Sequence, residues 1–145
     1  MKRKKAPMQA RILRQIERLS QKTGRYLEEQ LSRLGVTDLE AHVLWHLRKG
    51  GRALGELHQA FGVQPSTLTG VIDRLEARGY AYRQLNPADR RSFVIELNAA
   101  GQRIAESVTG VIDGFDLAVR RRVRPSDLDG FVNVVEAIDR VVNGG

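Results

Sequence analysis

Pro65-Ser66-Thr67-Leu68-Thr69-Gly70-Val71-Ile72-Asp73-Arg74-Leu75-Glu76-Ala77-Arg78-Gly79 is a helix written with both of its ends. Leu68, Val71, Ile72 and Leu75 recur at the spacing of a helix that buries one face. Pro65 suits the first turn, where its missing N–H is not needed and its φ is already helical, and Gly79 supplies the stop. Gln64, Ser66, Thr67, Thr69, Gly70, Asp73 and Arg74 fall on the opposite face. That face is polar, and small and hydroxylated near its start.

Outward toward the N-terminus, Leu54, Leu57 and Phe61 give a short helix ended by Gly62. Ahead of it, Leu39, Val43, Leu44 and Leu47 mark a helix opened by a capping side chain in Val36-Thr37-Asp38 and closed by Lys49-Gly50-Gly51. Ile12, Ile16, Leu19, Leu27, Leu31 and Leu34 stripe a long amphipathic helix over residues 8–34, which Gly35 terminates. Outward toward the C-terminus the apolar period changes from about 3.6 to 2. Tyr80–Leu85 and Ser92–Leu97 are β-rich runs around Asn86-Pro87-Ala88-Asp89-Arg90, which carries turn chemistry, so a hairpin with a basic tip is expected. Asn98 then caps a helix reaching to about Val123, with Gly110 and Gly114 weakening its middle, and Pro125-Ser126 restarts a last helix through Val142.

The order short helix, glycine turn, helix, basic hairpin is that of a winged helix-turn-helix. In that arrangement a helix presents polar side chains near its N-terminus to base edges in the major groove of double-stranded DNA. Gln64, Ser66, Thr67 and Thr69 supply such groups. Arg90 and Arg91 at a protruding tip suit a narrow minor groove, with Asp89 holding its neighbour's rotamer, and Arg74, Arg78 and Arg83 suit phosphates. The same residues also fit a plainer picture, in which Ser66 and Thr67 cap a surface helix and the two arginines decorate a solvated turn.

The 145 residues, 41% apolar and 28% charged, suit one domain, residues 1–145, with its own core. The expected class is mainly α with a small β-hairpin wing. A winged unit at 36–101 is flanked by long N- and C-terminal dimerisation helices at 8–34 and 98–143. Stripes on such terminal helices pack on each other or on a second copy, and a two-fold homodimer is the commonest assembly. With no cysteine, disulfide scaffolds, thiolate metal sites and cysteine nucleophiles are excluded.

Lysine and arginine number 24 against 17 acidic residues, a net +7 that favours a polyanionic partner. The excess lies in residues 1–35, including the Lys2 to Lys5 cluster. No apolar run approaches the roughly 18 residues that span a bilayer, and no apolar segment follows the first charges, so a cytoplasmic protein without a membrane partner is expected.

Asp89-Arg90-Arg91, five residues, then Leu97-Asn98-Ala99-Ala100-Gly101 resembles the wing signature of the MarR (multiple antibiotic resistance regulator) family of winged-helix transcription factors, with Asn98 where the family has Thr. Residues 65–76 are similar to that family's recognition helix, and Asn86-Pro87-Ala88-Asp89 to its approach to the wing. Gly70 stands where a basic residue is frequent, Ala53 where a hydroxylated cap is usual, and His58 where a small alanine packs. The resemblance implies a homodimer on a pseudopalindromic operator, with Arg91 in the minor groove, Asp89 as its anchor and Arg90 at a variable position. It also implies repression relieved by a small phenolic or aromatic effector between the dimerisation helices and the DNA-binding unit. Tyr26, His42, Trp45, His46 and Phe115 are the candidate lining residues, although Trp45 and Phe115 equally suit core packing.

Two rivals remain open. His42 and His46, at i and i+4, have the spacing of a helical metal pair, which with Glu40 or Asp38 would make a metal-responsive regulator. Val43 replaces the glutamate that a zinc hydrolase needs, so no catalytic residue, cofactor or metal is assigned. A winged helix that contacts protein or RNA without operator specificity explains the charge and hairpin, but not the pairing of Asp89 with Arg91.

Overall fold

The computed structural model describes residues 11–144. The Lys2 to Lys5 cluster and residues 8–10 of the expected first helix lie outside them. Two compact units are distinguished, one ending at Val108 and the other beginning at Thr109.

In the first unit, helix α1 (Ile12–Ser32) leads through Gly35 to α2 (Asp38–Leu47), strand β1 (Arg52–Ala53), α3 (Leu54–Phe61) and α4 (Pro65–Ala77). Strands β2 (Ala81–Leu85) and β3 (Phe93–Leu97) follow, and α5 (Ala99–Arg120) starts within this unit. α2 opens with a reciprocal capping box. The Thr37 N–H donates to Glu40 Oε2 at 3.0 Å, and the Glu40 N–H donates to Thr37 Oγ1 at 3.2 Å. α3 ends on Gly62 at φ 59°, a left-handed conformation that a side chain would strain, and this allows the tight turn into α4.

The expected hairpin is the larger part of a three-stranded antiparallel sheet of order β1-β3-β2. The third strand is two residues long, pairing Arg52 with Ile95 and Ala53 with Val94. Ala53 precedes α3 with no side-chain cap, and its pairing with Val94 fixes the helix entry instead. The helical stripes converge as expected. Val43, Leu44 and Leu47 of α2, Leu57 of α3, Leu68, Val71, Ile72 and Leu75 of α4, and Ile95 of β3 are essentially inaccessible. Each such side chain stabilises the fold by about 1.5 to 3 kcal/mol relative to exposure.

The start of α5 is locked to the end of α4 by a residue that caps and clamps together. The Gly101 N–H donates to Asn98 Oδ1 at 2.8 Å, while Asn98 Nδ2 donates to the Gly79 carbonyl at 2.6 Å and the Asn98 N–H to that of Tyr80 at 3.1 Å. A Cβ on Gly101 would collide with the Tyr80 carbonyl, and Leu97 Cβ would stand 3.1 Å away. Only glycine fits that approach. Gly110 and Gly114 do not interrupt α5, which runs unbroken to Arg120.

In the second unit, α6 (Pro125–Val142) begins at a proline, and the Arg124 N–H donates to Asp127 Oδ2 at 2.9 Å. No α6 residue is buried, and Phe131, Val132, Val134 and Val135 stand exposed. Ile12, Leu13, Ile16 and Leu19 of α1 are exposed as well. Among the described residues, no helix is long and apolar enough to cross a membrane.

Candidate nucleic-acid interface

Gln64, Ser66, Thr67, Thr69, Asp73 and Arg74 are all exposed along α4, with the buried stripe opposite. No side chain caps α4. Ser66 and Thr67 are therefore not its caps, and its first turn offers the positive end of the helix dipole, a setting that favours phosphate oxygens.

The wing tip is braced from within. The Asn86 N–H donates to the Ser92 carbonyl at 3.0 Å, the Ala88 N–H to Asn86 Oδ1 at 3.0 Å, and the Ser92 N–H to the Asp89 carbonyl at 3.0 Å. Asp89 then takes Arg91 at two points. Its Oδ1 accepts from the Arg91 N–H at 3.0 Å and from Arg91 Nε at 3.3 Å. With its Nε edge held and its side chain 92% exposed, Arg91 projects a guanidinium into solvent. Arg90 is exposed beside it.

Arg83 behaves differently from Arg91. Its Nη2 pairs with Asp73 Oδ1 at 2.6 Å, its Nη1 pairs with Glu76, and its backbone N–H donates to Glu76 Oε1 at 3.0 Å. Expected among the phosphate contacts, Arg83 ties wing strand β2 to α4 instead. Arg78 Nη1 likewise donates to the Gly35 carbonyl at 2.6 Å, and Arg74 Nε to Glu40 Oε1 at 3.0 Å. On the outer face of the sheet, Tyr82 and Gln84 both donate to Glu96 Oε2, and the first of these bonds holds the Tyr82 phenol above its ordinary pKa.

Of the candidate effector residues, His42, Trp45 and His46 share α2. The Nδ1 atoms of His42 and His46 lie 2.7 and 3.0 Å from the carbonyls of Asp38 and His42, which only accept, so each Nδ1 carries its proton. The His46 ring meets Trp45 edge-on at 5.2 Å and Phe61 at 4.7 Å, and Arg48 stacks 3.9 Å over Trp45. Phe61 is an addition that helical spacing hid, because it reaches α2 only through the fold. The Trp45 Nε1 and His58 Nδ1 atoms are buried with no hydrogen-bond partner. Tyr26 stands exposed on α1, and Phe115 lies on α5 in the second unit. An open cavity of about 510 Å³ lies elsewhere, lined by Ser32, Gly35, Val36, Thr37, Glu40, Arg74, Ala77 and Arg78. No group of three or more His, Asp or Glu converges on a metal position among the described residues.

Comparisons with known proteins agree with this architecture. The MarR family model matches residues 34–92. The multiple antibiotic resistance protein MarR of Escherichia coli (strain K12) is 34% identical over 94 residues, 64% of this chain and 65% of that protein. The HTH-type transcriptional repressor MdtR of Bacillus subtilis (strain 168) is 32% identical over 94 residues, 64% of this chain and 61% of that protein. The match thus spans slightly less than two thirds of each relative's length. Among solved structures, a cysteine-to-serine mutant of E. coli MarR complexed with operator DNA superposes with a TM-score of 0.74 at 27% identity, covering 88% of this chain and 92% of that one.

Proposed function

We propose that the chain is a member of the MarR family, whose model matches residues 34–92, and that it is a transcriptional regulator that binds double-stranded DNA sequence-selectively. The observation that carries this is the Arg83 tie to Asp73 and Glu76, which holds the wing to the helix that would enter the major groove. Gln64, Ser66, Thr67 and Thr69 read base edges, Arg74 meets a phosphate, and Arg91, steadied by Asp89, enters the adjacent minor groove with Arg90 beside it. No residue is assigned a catalytic role.

The working form is a homodimer on a pseudopalindrome, its half-sites about one helical turn apart. The apolar faces of α1 and α6, exposed in the single chain, support that assembly. Its action is repression, in keeping with the relative named a transcriptional repressor. Relief comes from a small phenolic or aromatic effector near Trp45 and His46, with Tyr26 and His42 completing the proposed lining. The unpartnered indole N–H of Trp45 supports this, since it is a donor awaiting an acceptor. Such an effector needs about 1 to 3 kcal/mol of preference for the released state.

Footprinting on fragments of the source genome, including DNA beside the protein's own gene, tests the proposal. A protected site with two-fold symmetry supports it. Uniform, sequence-blind protection would favour an electrostatic patch serving a protein or RNA contact.

A further inference from the structure

Glu40 is the buried charged side chain of the described residues, only 3% exposed. A buried carboxylate is costly unless it is fully paired. Its Oε2 completes the capping box with the Thr37 N–H and lies 3.5 Å from Arg78 Nη1. Oε1 has no part in the cap. It accepts from Arg74 Nε at 3.0 Å, across 34 residues of sequence.

The consequence lies on the other edge of Arg74. With Nε held, Nη1 and Nη2 make no hydrogen bond within the described residues, and the side chain remains 56% exposed. Nη1 sits 3.5 Å from where a Cβ of Gly70 would be, so the guanidinium lies back over Gly70, one turn toward the start of α4. A Cβ at position 70 would make ordinary van der Waals contact with it. A guanidinium fixed at one edge gives up less rotamer freedom on binding, and its Nη pair matches two oxygens of a phosphate.

We propose that Glu40 is a positioning residue for DNA binding, which fixes Arg74 over Gly70 and aims its two Nη groups at a backbone phosphate. The proposal rests on the DNA-binding reading above. Glu40 touches no DNA and acts through Arg74.

The test uses the full chain, a duplex carrying the footprinted site and a scrambled duplex. Glu40→Gln keeps an acceptor for the Thr37 N–H and removes a negative charge. Coulomb attraction alone would make that variant bind the polyanion more tightly. Positioning predicts the reverse, a loss of about tenfold on the specific duplex. Thr37→Ala breaks the capping box while leaving Arg74 anchored, so it lowers the melting temperature and keeps wild-type affinity. In an Arg74→Ala background, Glu40→Gln produces no further loss. Unchanged or tighter binding by Glu40→Gln, an equal loss in Thr37→Ala, or additive losses in the double variant would each overturn the proposal. Wild-type protein that fails to discriminate the two duplexes overturns the DNA-binding reading itself, before any variant is compared.

Discussion

Arg83 Nη2 stands 2.6 Å from Asp73 Oδ1, joining a wing strand to the middle of the polar face of α4. The pair fixes the distance between the two surfaces proposed to meet neighbouring grooves together. Arg83 is three-quarters buried and also engages Glu76, so it exceeds an ordinary surface ion pair. Arg83→Ala is expected to cost about 1 kcal/mol, seen as a melting temperature lower by about 3 to 6 °C. It is also expected to weaken operator binding, because helix and wing lose their common frame. Unchanged affinity in a titration would show that the tie is structural only.

Arg91→Ala separates binding from folding. The side chain is 92% exposed and pairs only with its neighbour Asp89, so melting and dimerisation stay at wild-type values. Operator affinity falls by about tenfold or more, the scale of one well-placed charged contact. Asp89→Ala gives a smaller loss, since the guanidinium remains but is no longer held. Equal affinities for Arg91→Ala and wild type would remove the minor-groove role.

Gly101→Ala tests the junction of α4 and α5. The added methyl group meets the Tyr80 backbone carbonyl, which cannot move aside as a side chain would. Denaturant unfolding should show a loss of about 3 kcal/mol or more. Stability within about 0.5 kcal/mol of wild type would mean that the approach is looser than described.

Trp45 is the chain's single tryptophan, so its fluorescence reports the proposed effector position without labelling. Saturable quenching by small aromatic acids, with a matching release of DNA, is the expected result. Quenching without release would place binding near Trp45 but outside the regulatory equilibrium, because only a ligand with different affinity for the two states shifts it.

The helical units and the wing were legible because their signals are local. Apolar spacing placed Leu68, Val71, Ile72 and Leu75 inward, and the turn chemistry of Asn86 to Arg90 placed the tip. β1 was not legible, since two residues after Gly50-Gly51 carry no period and pair only once β3 is beside them. The roles of the arginines were hidden for the same reason. Arg74, Arg78 and Arg83 look alike in sequence, yet Glu40, the Gly35 carbonyl and Asp73 engage them from positions 34, 43 and 10 residues away. Val36-Thr37-Asp38 announced a capping side chain, but nothing local told that the Glu40 carboxylate, which completes the capping box, also reaches α4.

On the function proposed, this chain reads DNA sequence rather than charge alone. The most direct measurement is titration of the protein against the footprinted duplex and a scrambled duplex of equal length across a series of salt concentrations. A preference for the first duplex is expected at every concentration, with a log-log salt slope of roughly −7 to −11 from about 8 to 12 phosphate contacts. Equal affinity for the two duplexes throughout the series would contradict it.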